Sequence, residues 1–274
     1  MENLFTRTWQ LLRANTILLM IVLFETTLML FFRGGQLQFG FNPMMEMALY
    51  FFHLAVLGGL LYQMKKITQQ PEERATLDDF LNGVGRYFQR LMTGGSVLVL
   101  IFIIGFIMSL SMSLLVAGAP DEKFTTTLAE LVQAGKYEEL QTQLQANPEL
   151  TQSLTRWVFT FLSGLAVLGI YISTLYFWTF WVVLADMHWY AAWKMSQRSL
   201  LKHWRMMLYL GMVWLVPTGM IYASLLSGNT IISMIAFTLS LVAKAYFTLL
   251  FVRFWTLAEP ELITPLEPVA ETKS

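Results

Sequence analysis

The sequence predicts an all-α integral membrane protein, with six transmembrane helices arranged as three in-out-in hairpins, each preceded by a cytoplasmic-side amphipathic interfacial helix. Three observations lead there. Apolar and aromatic residues fill 56% of the 274 positions and charged residues only 13%, and uncharged runs close to the ~20 residues that a hydrocarbon core requires recur along the chain. Basic amphipathic stretches precede the first, third and fifth of these runs. Lys and Arg then fall thirteen to one side of the segmentation and four to the other, with Lys244 alone inside a run. By the positive-inside tendency both termini face the cytoplasm, and the expected location is the bacterial inner membrane.

The first amphipathic piece covers residues 3–13, with Leu4, Phe5, Trp9 and Leu12 on one face and Arg7, Gln10 and Arg13 opposite. Arg7 and Arg13 stand before a full-length apolar run without a small-residue cleavage site, so the segment is expected to be retained. Span 1 is expected over Asn15 to Phe32, ended by Arg33, Gly34 and Gly35; Asn42 and Pro43 start span 2, which runs from Met44 to Met64 and closes at Lys65 and Lys66. Thr76 with Asp79 resembles a capping box for the second amphipathic helix. Its faces separate Phe80, Val84, Tyr87, Phe88 and Leu91 from Asp78, Asp79, Asn82, Arg86 and Arg90. Gly94 and Gly95 are expected to break it before span 3, which ends near Ala117 and carries a small-residue ridge at Gly105, Ser109 and Ser113.

Residues 118–152 form a polar insert with two short helical patterns, 124–134 and 136–146, punctuated by Gly135 and stopped by Asn147 and Pro148. Leu128, Leu131, Val132, Tyr137, Leu140 and Leu144 give it one apolar side, and it is expected to be extracytoplasmic. Span 4 is read as one long helix from Leu154 to Ala185, with Tyr176, Trp178 and Trp181 as an interfacial aromatic belt. The third amphipathic element, Asp186 to Trp204, has Lys194, Arg198, Lys202 and Arg205 within one quarter of the helix and Trp189, Trp193, Leu200 and Trp204 on the adjoining arc. Span 5 runs from Met206 to Leu226, with a kink expected at Pro217, and after the turn at Gly228 and Asn229 span 6 runs from Thr230 to Phe254. The six-span bundle thus covers 1–257, and 258–274 reads as a disordered cytoplasmic tail. Amphipathic helix, outward span and returning span recur three times in one orientation, which suggests parallel pseudo-repeats.

Leu184, Ala185 and Asp186, then Ala192, Lys194 and Ser196, then Lys202, His203 and Trp204 resemble a motif of six-span bacterial membrane protein families of unknown function. That group is related to the membrane domain of glycerophosphodiester phosphodiesterases. Trp193 replaces the usual leucine and Lys202 stands where glycine is common. The resemblance implies the span layout and no chemistry, because the soluble phosphodiesterase domain is absent from this chain.

The absence of cysteine removes disulfide and thiolate chemistry. Three histidines without a second ligand at metal spacing, and serines outside any Gly-x-Ser-x-Gly elbow, give no catalytic site, no metal site and no cofactor. Gly83 and Gly85 before Arg86 are explained as well by helix flexibility as by phosphate binding. Basic residues beside membrane runs suit anionic lipid head groups rather than nucleic acid, and Arg86, Arg90, Lys194, Arg198, Lys202 and Arg205 are the candidates for that contact. Glu25, His53 and Lys244 lie inside spans, roughly 13–17 Å from their cytoplasmic ends at ~1.5 Å per residue, with Ser240 on nearly the same face as Lys244. A charge there costs at least ~2.5 kcal/mol if lipid-exposed, so these groups should turn inward and pair. Such a cluster either fixes packing or handles a proton or solute. The leading expectation is a non-enzymatic membrane protein that binds anionic lipid and scaffolds or regulates membrane-protein partners; the alternative is a small transporter or channel at Glu25, His53 and Lys244. A water-sized cavity joining Glu25 to either surface distinguishes the two.

Overall fold

A computed structural model of the chain describes residues 2–39, 42–175, 177–206 and 230–265. Among the described residues the regular structure is entirely helical: α1 (Glu2–Ala14), α2 (Ile17–Phe39), α3 (Pro43–Gln69), α4 (Leu77–Ala117), α5 (Glu122–Gln133), α6 (Tyr137–Ala146), α7 (Pro148–Thr174), α8 (Trp178–Leu184), α9 (Trp189–Lys202) and α10 (Thr230–Ala258), followed by a 3-10 turn at Pro260–Leu262. Four stretches are long and apolar enough to cross a membrane, Pro43–Gln69, Leu77–Ala117, Pro148–Leu184 and Met234–Ala258. The pair Asn3–Ala14 and Ile17–Phe32, bent by 81°, makes a fifth if counted as one span. The expected span 5, beyond its first residue Met206, and the turn at 228–229 lie outside the described residues.

The helices fall into two units, residues 1–95 with 175–274, and residues 96–174. In the first unit, local chemistry sets the corners. Asn15 separates α1 from α2: its carbonyl accepts from the Leu18 amide at 3.1 Å, its side chain donates to the Leu11 carbonyl at 2.9 Å and accepts from the Ala75 amide at 2.7 Å. Asn42 caps α3 by accepting from the amides of Met44 and Met45, with Pro43 in the first turn. Thr76 and Asp79 cap α4 reciprocally, the Thr76 amide donating to the Asp79 carboxylate at 3.0 Å and the Asp79 amide to the Thr76 hydroxyl at 3.2 Å. Arg253 of α10 donates to the Leu4 carbonyl and the Thr8 hydroxyl, both at 3.2 Å, which docks α1 against α10.

Close helix packing explains several departures from the sequence expectation. Gly94 and Gly95 do not break α4, which runs on to Ala117. Each glycine weakens a helix by ~1 kcal/mol without terminating it, and here a Cβ at Gly94 would meet Trp178 and Trp189, while one at Gly95 would meet Leu54 and Tyr50. Arg33, Gly34 and Gly35 likewise lie within α2, which reaches Phe39. Helix α3 continues past Met64 because Lys65 is buried and donates to the Val183 carbonyl at 3.2 Å rather than leaving for solvent. Span 4 begins at Pro148 rather than Leu154; α7 is described to Thr174 and α8 from Trp178, and Tyr176 of the expected aromatic belt lies outside the described residues. Trp178 and Trp181 are not an interfacial belt; both are buried, with Trp181 lying 5.2 Å from the ring of Trp255.

The tail expected from 258 is ordered through its first residues. Glu259 and Ile263 are buried, and the Thr264 amide donates to the Leu184 carbonyl at 3.1 Å. Residues 266–274 lie outside the description.

In the second unit the small-residue ridge brings helices together: Gly105 faces Leu168 and Gly164 faces Ser109. Asp121 caps α5 by accepting from the Phe124 amide at 2.7 Å, and Gly135, at φ +69°, turns the chain into α6. Phe124 and Leu128 are buried whereas Val132 and Tyr137 are exposed, so the apolar side of this hairpin is narrower than the periodicity suggests.

Candidate functional site

Three ionisable residues, one from each of α2, α3 and α10, meet inside the first unit. The Nζ of Lys244 donates to Oε2 of Glu25 at 2.9 Å, and Nδ1 of His53 bonds the other oxygen, Oε1. An ionised carboxylate only accepts, so Nδ1 carries the shared proton. No hydrogen-bond partner meets Nε2 among the described residues. The Glu25 side chain is 3% exposed, while those of His53 and Lys244 are 35% and 32% exposed.

That exposure comes from a cavity of about 460 Å³ lined by Glu25, Thr26, Met29, Leu30, Glu46, Tyr50, His53 and Lys244. Helical spacing builds its walls. On α2, positions 25, 26, 29 and 30 form one stripe; on α3, positions 46, 50 and 53 form another. Glu46 lies in the first turn of α3, seven residues from His53, so the polar wall extends about 10 Å along that helix to its end. The Thr26 hydroxyl is buried and has no hydrogen-bond partner.

Sequence reasoning identified Glu25, His53 and Lys244 but not Glu46, Tyr50 or Thr26. The signal for the first two was present as an i, i+4, i+7 polar stripe on an otherwise apolar helix. Ser240 is not brought to the cluster: its hydroxyl donates to the Phe237 carbonyl at 2.6 Å and it does not line the cavity. Among the described residues no group of three or more His, Cys, Asp or Glu could hold a metal ion.

Comparison with family models, with curated proteins and with solved structures returns no match for the chain.

The six candidate headgroup contacts divide between two settings. Arg86 and Arg90 converge on Asp186, at 3.1 and 2.5 Å, and Arg90 also donates to the Asp186 carbonyl at 2.9 Å. Asp186 has a φ of +52°, a left-handed conformation that aspartate tolerates better than most residues. It forms the corner between α8 and α9. Burial pushes its carboxyl up, but hydrogen bonds and charge from Arg86 and Arg90 outweigh this and hold it below the ordinary carboxylate value. Lys202 donates to Glu259 at 2.6 Å, and His203 Nε2 lies 2.9 Å from the same oxygen. Burial again raises the Glu259 carboxyl, and these two partners bring it below its usual value. Lys194, Arg198 and Arg205 are exposed, Lys194 lying over the Tyr190 ring at 4.6 Å and Arg205 over the Trp204 ring at 5.5 Å. The inward face of α9 is Ala192, Trp193, Ser196 and Ser199, all buried.

Proposed function

We propose that the protein is a six-span integral membrane protein of the bacterial inner membrane, with cytoplasmic termini, that admits a small polar solute to an ionic site at Glu25, His53 and Lys244. The observation that carries this reading is the cavity of about 460 Å³ at the cluster. An ion pair that only fixed packing would gain nothing from an open space of this size beside it, because unfilled space forfeits packing contacts. Here the carboxylate is enclosed while its two partners open to the cavity, an arrangement suited to exchanging something with it. The polar stripe through Tyr50 and Glu46 supplies a path toward the end of α3.

The lack of native cysteine makes the reading directly testable. Met29→Cys, on the cavity wall, should react with a small charged methanethiosulfonate reagent in membrane vesicles, whereas Phe24→Cys, on the outer surface of α2, should be shielded by lipid. Failure of Met29→Cys to react would mean that the cavity is not aqueous, and the reading would fall. Orientation is checked by Gly135→Cys, which should be labelled by an impermeant thiol reagent in intact cells; labelling only after lysis reverses the topology.

A second reading, anionic-lipid binding with scaffolding or regulation of other membrane proteins, is favoured by one specific feature. The exposed cations of α9 stand beside large exposed apolar side chains, Leu201 at 75% and Trp204 at 52% exposure, as an interfacial helix requires. The two readings are compatible, one concerning the interior and the other the lipid-facing surface.

A further inference from the structure

We propose that the species exchanged at this site is the proton, and that His53 is the group through which it passes between the cavity and Glu25. The inference rests on the reading of the cavity as aqueous and names what uses it. Glu25 lines the cavity with only 3% of its side chain exposed, and its two hydrogen-bonded neighbours there are His53 and Lys244. A lysine has a single nitrogen and can relay a proton only by first giving one up, whereas an imidazole accepts at one nitrogen and releases from the other. His53 presents Nδ1 to the carboxylate and has an unpartnered Nε2 on the opposite edge of its ring.

The step balances as a relay. A hydronium ion in the cavity transfers a proton to Nε2, giving imidazolium and water. The Nδ1 proton then moves to Oε1 of Glu25, leaving a neutral imidazole in the opposite tautomer and a neutral carboxylic acid. Lys244 keeps its charge and loses its counter-ion. Since Lys244 and Glu25 join α10 to α2, protonation loosens that contact; the inferred cycle closes when Glu25 releases its proton to the other side through the loosened contact, the ion pair re-forms and the imidazole returns to its first tautomer. Among the described residues the other titratable groups lining the cavity are Tyr50 and Glu46, both on the same helix as His53, and they provide hydrogen-bonding stations between it and the helix end. Imidazole is suited to the role because it titrates near neutral pH and because its two nitrogens allow entry and exit at different atoms.

The test is proton flux into liposomes that contain the purified protein and a pH-sensitive dye, driven by a potassium gradient with valinomycin. Wild type should acidify the lumen, and His53→Gln should slow this by roughly a hundredfold, the lower range of what a positioned acid-base group contributes. A variant that does not fold is bypassed with wild type: diethyl pyrocarbonate, which acylates neutral imidazole, should modify the His53 peptide and block flux, and hydroxylamine should restore it. Full flux in folded His53→Gln, or modification of His53 without loss of flux, overturns the inference. Absence of wild-type flux, when Met29→Cys is labelled, overturns it too while leaving the aqueous cavity standing.

Discussion

Lys244 Nζ and Glu25 Oε2 are 2.9 Å apart across 219 positions of chain, so α2 and α10 are neighbours held by a buried charge pair. Removing one partner leaves the other uncompensated, at a cost of about 3 kcal/mol, toward the lower end of the range because Lys244 is partly open to the cavity. Glu25→Gln and Lys244→Met should each lower the melting temperature in detergent, and the double substitution should recover much of the loss. Additive losses would show that the two side chains do not interact in the folded protein.

Two glycines separate close packing from free helix surface. A Cβ at Gly59 would lie 2.7 Å from the Phe80 carbonyl oxygen, a backbone atom that cannot rotate away, whereas nothing lies within 4 Å of one at Gly85. Gly59→Ala should therefore cost about 1–3 kcal/mol through overpacking. Gly85→Ala should stabilise by about 0.5–1 kcal/mol, since alanine loses less backbone entropy in a helix. Thermal unfolding of the two variants with opposite shifts is the expected result.

Asp186 makes stability depend on acid pH in a defined direction. Its carboxyl is held below the ordinary value in the folded protein, so its contribution is complete above the unfolded carboxylate range, ~4, and is lost as pH falls through the lower folded value. The side chains are partly exposed, which limits each pair to ~1 kcal/mol or less. Asp186→Asn keeps a residue suited to the left-handed conformation. It should melt below wild type at pH 7, and the gap should narrow as pH falls below ~4.

Neutralising the exposed cations Lys194, Arg198 and Arg205 together should reduce the enrichment of anionic lipid around the purified protein, measured by lipid mass analysis, since each cation near such a surface contributes ~1 kcal/mol. Neutralising Arg86 and Arg90 should instead act on stability, because Asp186 engages both. Unchanged lipid enrichment in the triple variant would remove lipid recognition by α9.

The features that the sequence by itself determined are those set by local chemistry. Apolar runs announce a membrane protein, Asn42 and Pro43 start α3, Thr76 and Asp79 cap α4, and Gly135 turns the insert, because caps and left-handed turns involve residues within a few positions of one another. Glu25 and Lys244 could be paired from sequence since isolated charges in apolar helices have few ways to be satisfied. Only the tertiary structure decided what depends on distant neighbours. The sequence marks Gly94 and Gly95 as a helix break, yet they become contact points because Trp178 and Leu54 arrive against them. Trp178 and Trp181 carry the composition of an interfacial belt and are core because Trp193 and Trp255 cover them. Glu259 is ordered because Lys202 and His203 reach it, and Glu46 shares a cavity with His53 because α2 and α10 leave space along that face of α3. A helical periodicity states which residues share a face; the helix that comes to lie against that face, and the gap left between them, are properties of the packed chain.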